Sequence, residues 1–335
     1  MRSLLLLSLL ALAACTPPDQ MALGDTKTYV KTNLEELVTA STAMCDAAPA
    51  PDADGWNATA DAAAVTSMRT QWKKARIAYE RVEGSIAVLF PELDESTDQR
   101  YDGFLENATD SNLFDDEVVT GIHGIERILF ADVITPEVKS FEQGLGSKYV
   151  EASFPTTLAQ ATDFKNKLCP KLVTDVKKMR DDYQPLALDT ASAFRGVIGS
   201  MEEQLEKTTF AATGEEESRY AKHTLADMRA NLEGAQKTYE AFRPWLTSKG
   251  ETKLDADIQA GLARVKAAYD GVSGDSLPTP PSTWSSVSPS AADRETPFGK
   301  LFTVIETETA TGDSALVGQM LKAAEKLGIP PLPES

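Results

Sequence analysis

The sequence predicts an all-α protein. Apolar residues recur at three- and four-residue spacings through most of the chain, and strand-like alternation is nearly absent. Prolines punctuate these stretches, at Pro49 and Pro51, Pro91, Pro155 and Pro170. The first helix is expected from about Gly24 to Cys45, ended by the Ala48–Asp52 run. A second runs from about Asn57 to Phe90, where Pro91 stops it. Residues 92–116 read as an acidic loop with a short helix inside. The next helix carries His123 and ends near Asp132. A long pattern over Phe141–Gln184 is expected to break at Phe154-Pro155 and at Cys169-Pro170. Helices then follow over Thr190–Lys207, Glu215–Trp245 and Leu254–Val272. A Ser- and Pro-rich surface loop at 274–297 precedes two last helices, Phe298–Thr309 and Ser314–Leu327. So many helices in about 320 residues predict two helical bundles packed together, residues 24–185 and 186–335.

The N-terminus reads as a processing signal. Arg2 followed by the apolar stretch Leu4–Leu12 makes residues 1–14 a signal peptide, too short to span a bilayer as a mature helix. Leu12-Ala13-Ala14-Cys15 resembles a bacterial lipobox, in which Cys15 is acylated and becomes the mature N-terminus. The alternative is an ordinary signal peptide with a chance cysteine. Residues 15–23, including Thr16-Pro17-Pro18, read as a tether. The expectation is a periplasm-facing lipoprotein of a bacterial envelope, held to the lipid membrane through Cys15. Thr16 in place of Asp after the cysteine points to the outer rather than the inner membrane. Cys45 and Cys169 remain for the body, and an oxidising compartment favours their pairing. Neither lies in a CxxC or Cys/His cluster, so a thiolate zinc site is not expected.

A formal charge of −18 opposes binding to nucleic acid or anionic lipid surfaces and favours cations. Candidate cation ligands lie on two helices. On the helix through Trp72–Leu89, Ala75, Tyr79, Val82, Ile86 and Leu89 form an apolar stripe. Trp72, Arg76, Glu80 and Glu83 form a second stripe beside it, putting both carboxylates at the core margin. An Arg76–Glu80 surface pair would explain part of the same spacing. One of the two histidines of the chain lies in Gly121-Ile122-His123-Gly124-Ile125-Glu126. His123 and Glu126 point the same way, and Glu126 falls within the apolar arc of Val118, Ile122, Ile125, Leu129 and Val133. A buried carboxylate needs a partner, and His123, Arg76, Arg100 or a bound metal would each serve. Imidazole and carboxylate converging on one point can hold a transition metal, or the pair can satisfy itself. Asp94, Asp98 and Arg100 lie between the two helices, where a loop packed over His123 would add oxygen ligands.

Three ordered segments carry a resemblance: Ala75–Glu83, then Leu93-Asp94 through Asp98-Gln99-Arg100, then Gly121–Phe130. Gly214–Tyr220, Leu225, Asp227, Asn231, Glu233-Gly234 and Arg243–Leu246 extend it. Together they resemble the imelysin-like family, and within it the short, cupredoxin-less form of the Efe-type periplasmic iron-uptake lipoproteins. The likeness runs from about Arg69 to Val272. It implies two pseudo-symmetric helical bundles and binding of iron or another divalent cation for uptake through an inner-membrane metal permease. It also implies that Glu80, Glu83, Asp98, His123 and Glu126 hold the metal, with Arg76, Arg100, Tyr220 and Asp227 lining the same cleft. The family's histidine after Arg-Tyr is displaced here, in Ala221-Lys222-His223-Thr224. No ligand role is carried to His223, which reads as a solvated helix histidine.

The family name raises an alternative, an imelysin-type metallopeptidase. HExxH is absent, and Arg127 after His-x-x-Glu rules out HxxEH. No G-x-S-x-G elbow is present either. A third reading is a non-catalytic envelope lipoprotein binding a polymer or partner protein, with Trp56, Trp72, Trp245 and Trp284 as stacking surfaces.

Overall fold

A computed structural model describes residues 16–57 and 59–332. The signal peptide and the lipidation call at Cys15 lie outside the described residues. Among the described residues there are helices and loops but no strand. The first half comprises α1 (Pro18–Asp46), α2 (Ala62–Glu80), α3 (Glu83–Leu89), α4 (Pro91–Asp98), α5 (Tyr101–Asn107), α6 (Gly121–Leu129), α7 (Pro136–Gln143), α8 (Leu158–Asp163) and α9 (Cys169–Tyr183). The second half comprises α10 (Thr190–Phe210), α11 (Thr224–Ser248), α12 (Thr252–Asp270), α13 (Ala291–Arg294), α14 (Pro297–Glu308) and α15 (Leu316–Leu327).

Several boundaries differ from the sequence expectation for local reasons. The first helix starts at Pro18, so residues 18–23 of the expected tether are helical; proline suits the first turn, where its missing N–H is not needed. The expected helix from Asn57 to Phe90 is interrupted at Arg81-Val82, separating Glu80 at the end of α2 from Glu83 at the start of α3. The acidic segment after Pro91 holds two helices, α4 and α5. Cys169-Pro170 does not break the chain direction, because a π-helical turn over Phe164–Leu168 leads directly into α9. Residues 215–223, expected as the first turns of a long helix, form a loop before α11. Gly214 at φ 83° and Lys222 at φ 51° bend the backbone there.

A continuous apolar core extends through both halves. The helix α1 packs on α2 and α9 of its own half and on α11 of the other, while α10 packs on α11 and on α3, so the two halves share contacts. The Cys45–Cys169 disulfide, with Cα atoms 5.6 Å apart, ties α1 to α9. Two backbone features set up the site. Gly84 and Gly196 face each other where α3 crosses α10; a Cβ on Gly196 would stand 1.8 Å from the Gly84 carbonyl oxygen. Gly121, at φ 76°, opens α6 against the end of α4, and a Cβ there would lie 2.4 Å from the Thr97 carbonyl oxygen. The first crossing brings Lys207 of α10 to Glu83, and the second brings His123 beside Asp98.

Candidate metal centre

His123 is buried, and its two ring nitrogens face different partners. Nδ1 lies 2.7 Å from Glu126 Oε2. Nε2 lies 3.3 Å from Glu217 Oε1 and 3.5 Å from Asp98 Oδ1. The other oxygen of Glu126 accepts hydrogen bonds from the backbone N–H groups of Tyr220 and Ala221, at 3.0 and 2.8 Å. Glu126 therefore stands behind the imidazole and fixes its orientation, while the opposite nitrogen faces two carboxylates. A carboxylate–histidine pair is how metal-binding imidazoles are commonly oriented. Tetrahedral arms of about 2.0–2.2 Å put neighbouring donors roughly 3.3–3.6 Å apart, so the spacing around Nε2 suits a metal edge.

Arg76, fully buried, is central to the cluster. Its guanidinium pairs with Glu80 and Asp98, and reaches Glu217 Oε1 at 3.1 Å and Asp227 Oδ2 at 3.6 Å. The surface-pair reading of Arg76–Glu80 is thereby corrected: α2 turns both groups into the core. Lys207 Nζ, also buried, lies 3.0 Å from Glu80 Oε2, 3.3 Å from Glu83 Oε2 and 3.2 Å from Asn231 Oδ1. Asn231 completes this corner by donating from Nδ2 to Glu83 Oε2 at 2.7 Å.

The cluster forms the floor of an open cavity of about 410 Å³. Glu83, Asp98, Lys207 and Glu217 line its base, with Arg100 at the side and further carboxylates of α4, α5 and α10 around the mouth. Nine carboxylates and two cationic side chains line this cavity, so its field draws cations inward. Glu80, Arg76 and His123 stand behind that lining.

Burial and neighbouring charges shift the titrations. Burial pushes Asp98 up to about 8 despite the pull of Arg76 and His123. Burial opposes a charge on His123, as does Arg76, but Glu126, Glu217 and Asp98 hold its proton and raise it to about 9. Burial together with Glu80 raises Glu83 well above the usual carboxylate range. Glu217 moves the other way: against its burial, Lys207, His123 and Arg76 hold it well below that range. Two carboxylates facing one imidazole thus differ in proton affinity, because Glu217 also feels the ammonium of Lys207.

The structure brings Glu80, Glu83, Asp98 and His123 of the expected ligand set together. Glu126 touches His123 but points its second oxygen at backbone amides. Among the expected cleft residues, Arg76 is at the centre and Asp227 lies beneath it. Arg100 stands at the mouth, 3.6 Å from Glu217 Oε2. Tyr220 is turned away, its hydroxyl donating to Glu142 at 2.5 Å within a separate buried network with Arg127. His223 is not solvated: it is buried against the edge of Trp72, with Nδ1 3.1 Å from Asp227 Oδ1. Val133, expected on the buried face of the His123 helix, lies past its end and is exposed. Glu217 and Lys207 were not among the expected site residues. Glu217 was hidden because its segment reads as helix, whereas the loop turns it back toward His123. Lys207 is one more lysine at a helix end until α3 and α10 are seen to cross.

A profile of the Imelysin (peptidase M75) family matches residues 24–295, and its span includes every residue of this cluster. The chain belongs to the imelysin family. It is similar to the iron uptake system component EfeO of Escherichia coli strain K12, at 29% identity over 239 residues, covering 71% of this chain and 50% of that protein. EfeO of Shigella flexneri matches at the same identity and coverage. EfeO of Escherichia coli strain UTI89 is 28% identical over 239 residues, again 71% and 50% of the two chains. This imelysin chain spans about half the length of the curated relatives it matches.

Proposed function

We propose that this protein captures iron, or another divalent cation, at the bacterial cell envelope and passes it on for uptake. The ion is the cargo, held first by His123 Nε2, Asp98 and Glu217 at the base of the acidic cavity. The observation that carries this reading is the imidazole braced by Glu126 on one nitrogen and facing two carboxylates with the other. Likeness to iron uptake components supports the choice of iron. A mixed nitrogen and oxygen set suits iron or manganese better than a soft-metal site. Glu80 and Glu83 complete the carboxylate wall beside this point, and Asp227 holds Arg76 beneath it.

In this reading the chain is a lipoprotein whose acylated Cys15 tethers it in the periplasm, with the outer membrane the preferred leaflet partner. An inner-membrane metal permease receives the ion. No described helix is long and apolar enough to cross a membrane. The two halves, 24–185 and 186–335, act as two packed bundles whose contact forms the site. Binding is favoured over peptidase chemistry because Lys207 pairs with Glu80 and Glu83, the neighbouring carboxylates left to serve as a general base once Asp98 and Glu217 hold the ion. The test is titration of chelator-treated protein with ferrous, manganous and zinc ions, alongside His123→Ala. Saturable binding lost in the variant is expected. Equal, weak binding by both proteins would overturn the reading.

A further inference from the structure

The geometry of the pocket floor offers two overlapping sets of donors. Asp98, His123 and Glu217 each present one ligand atom within 4.8 Å of the others, and so do Glu80, Glu83 and Asp98. Asp98 is common to both, an arrangement that in principle admits two ions with a bridging carboxylate. The second set, however, already surrounds a cation that itself lines the cavity, whereas Arg76 meets Asp98 and Glu217 of the first set from behind that lining. Lys207 Nζ sits among Glu80 Oε2, both oxygens of Glu83 and Asn231 Oδ1, at 3.0 to 3.5 Å.

The Asn231 side of this cage is held in a fixed orientation. Asn231 Nδ2 donates to Glu83 Oε2 and to the Glu80 carbonyl oxygen, at 2.7 and 2.9 Å, which turns its Oδ1 toward the ammonium. Gln204 donates to the same Oδ1 at 3.0 Å and accepts from Tyr269 at 2.9 Å. An ammonium cannot be a metal ligand while protonated, and a second ion beside it would meet its full charge at low dielectric. Resting on the metal-capture reading above, we propose that Lys207 is a resident cation that withholds Glu80 and Glu83 from the cargo and limits the pocket to one ion. Lys207 is in this sense a specificity-determining residue: it sets the number of ions and leaves one mixed imidazole–carboxylate site.

The experiment is manganous-ion binding to the chelator-treated full chain, read as ions per chain and by electron paramagnetic resonance. Wild type is expected to bind one ion with an isolated-ion spectrum. Lys207→Met is expected to bind two, with the exchange-coupled spectrum of a carboxylate-bridged pair. A second variant, Lys207→Met with Glu83→Gln, removes the cation together with one carboxylate charge and is expected to return to one ion. Where Lys207→Met does not fold, Lys207→Gln takes its place: its amide can still donate within the cage but carries no charge, so it is expected to bind two ions, and one ion would overturn the assignment. Two ions on wild type, one ion on a folded Lys207→Met, or two or none on the double variant would each overturn the assignment. Wild type binding no ion would instead overturn the capture reading itself.

Discussion

Glu126 is the residue whose replacement separates bracing from ligation. Its carboxylate accepts from His123 Nδ1 at 2.7 Å and from the amides of Tyr220 and Ala221 at 3.0 and 2.8 Å. In Glu126→Gln the remaining oxygen can still accept from both amides. The new NH₂ group then faces Nδ1, which must become an acceptor and move the imidazole proton to Nε2, the nitrogen aimed at Asp98 and Glu217. Loss of the charged bond to the imidazole is expected to cost about 2–3 kcal/mol of stability. Metal affinity should fall by about 10–100-fold, as for other residues that orient a metal-binding histidine. Glu126→Ala also orphans two buried amides and should cost about 3–5 kcal/mol in all. Urea unfolding measures the first quantity, and calorimetric metal titration the second. Wild-type affinity in a folded Glu126→Gln would refute the bracing argument.

Metal loading should release protons. His123, raised to about 9, and Asp98, raised to about 8, both hold protons at neutral pH, and both must lose them to coordinate. Affinity should therefore climb with pH toward about 9, as read by titration calorimetry in buffers of different ionisation enthalpy; a flat profile would contradict it. In the metal-free protein the sign reverses for stability. The raised His123 contributes fully below its ordinary 6.5, and that contribution is lost as pH rises through about 9, so unfolding midpoints should fall over that window. Gly196→Ala would place Cβ 1.8 Å from the Gly84 carbonyl oxygen and should cost about 1–3 kcal/mol or more. Thermal unfolding would show this, and an unchanged midpoint would mean that α3 and α10 do not cross so closely. Reduction of Cys45–Cys169, 124 residues apart in sequence, should cost about 4–5 kcal/mol by loop entropy. Denaturant unfolding with and without reductant measures that loss.

Much of the fold was legible because its helices carry ordinary signals. Apolar periodicity located α10, α12, α14 and α15 within a few residues, and Pro91 marked the junction of α3 and α4. Interruptions were harder to read. Nothing periodic announces the break at Arg81-Val82, because α3 keeps nearly the same apolar phase as α2. The 215–223 segment has helical composition, yet its backbone is fixed by long-range bonds: amides 220 and 221 to Glu126, and Ser218 to Asp227 at 2.5 Å. The site followed the same division. Spacing within the expected helices placed Glu80 and Glu83 at a core margin, Glu126 inside an apolar arc and His123 at the edge of that arc. What each carboxylate does there depends on partners far along the chain, namely Lys207, Glu217 and Asn231, and local pattern is silent about those. Glu126 illustrates the difference: its place beside His123 follows from a three-residue spacing, whereas its role behind the imidazole follows from a loop almost a hundred residues away.

The most direct test of the account is anomalous diffraction from crystals of the protein loaded with manganous ion. One strong peak is expected within bonding distance of His123 Nε2, in contact with Asp98 and Glu217 and on the side away from Glu126. A peak bound only by carboxylates at the cavity mouth, with His123 uninvolved, would contradict it.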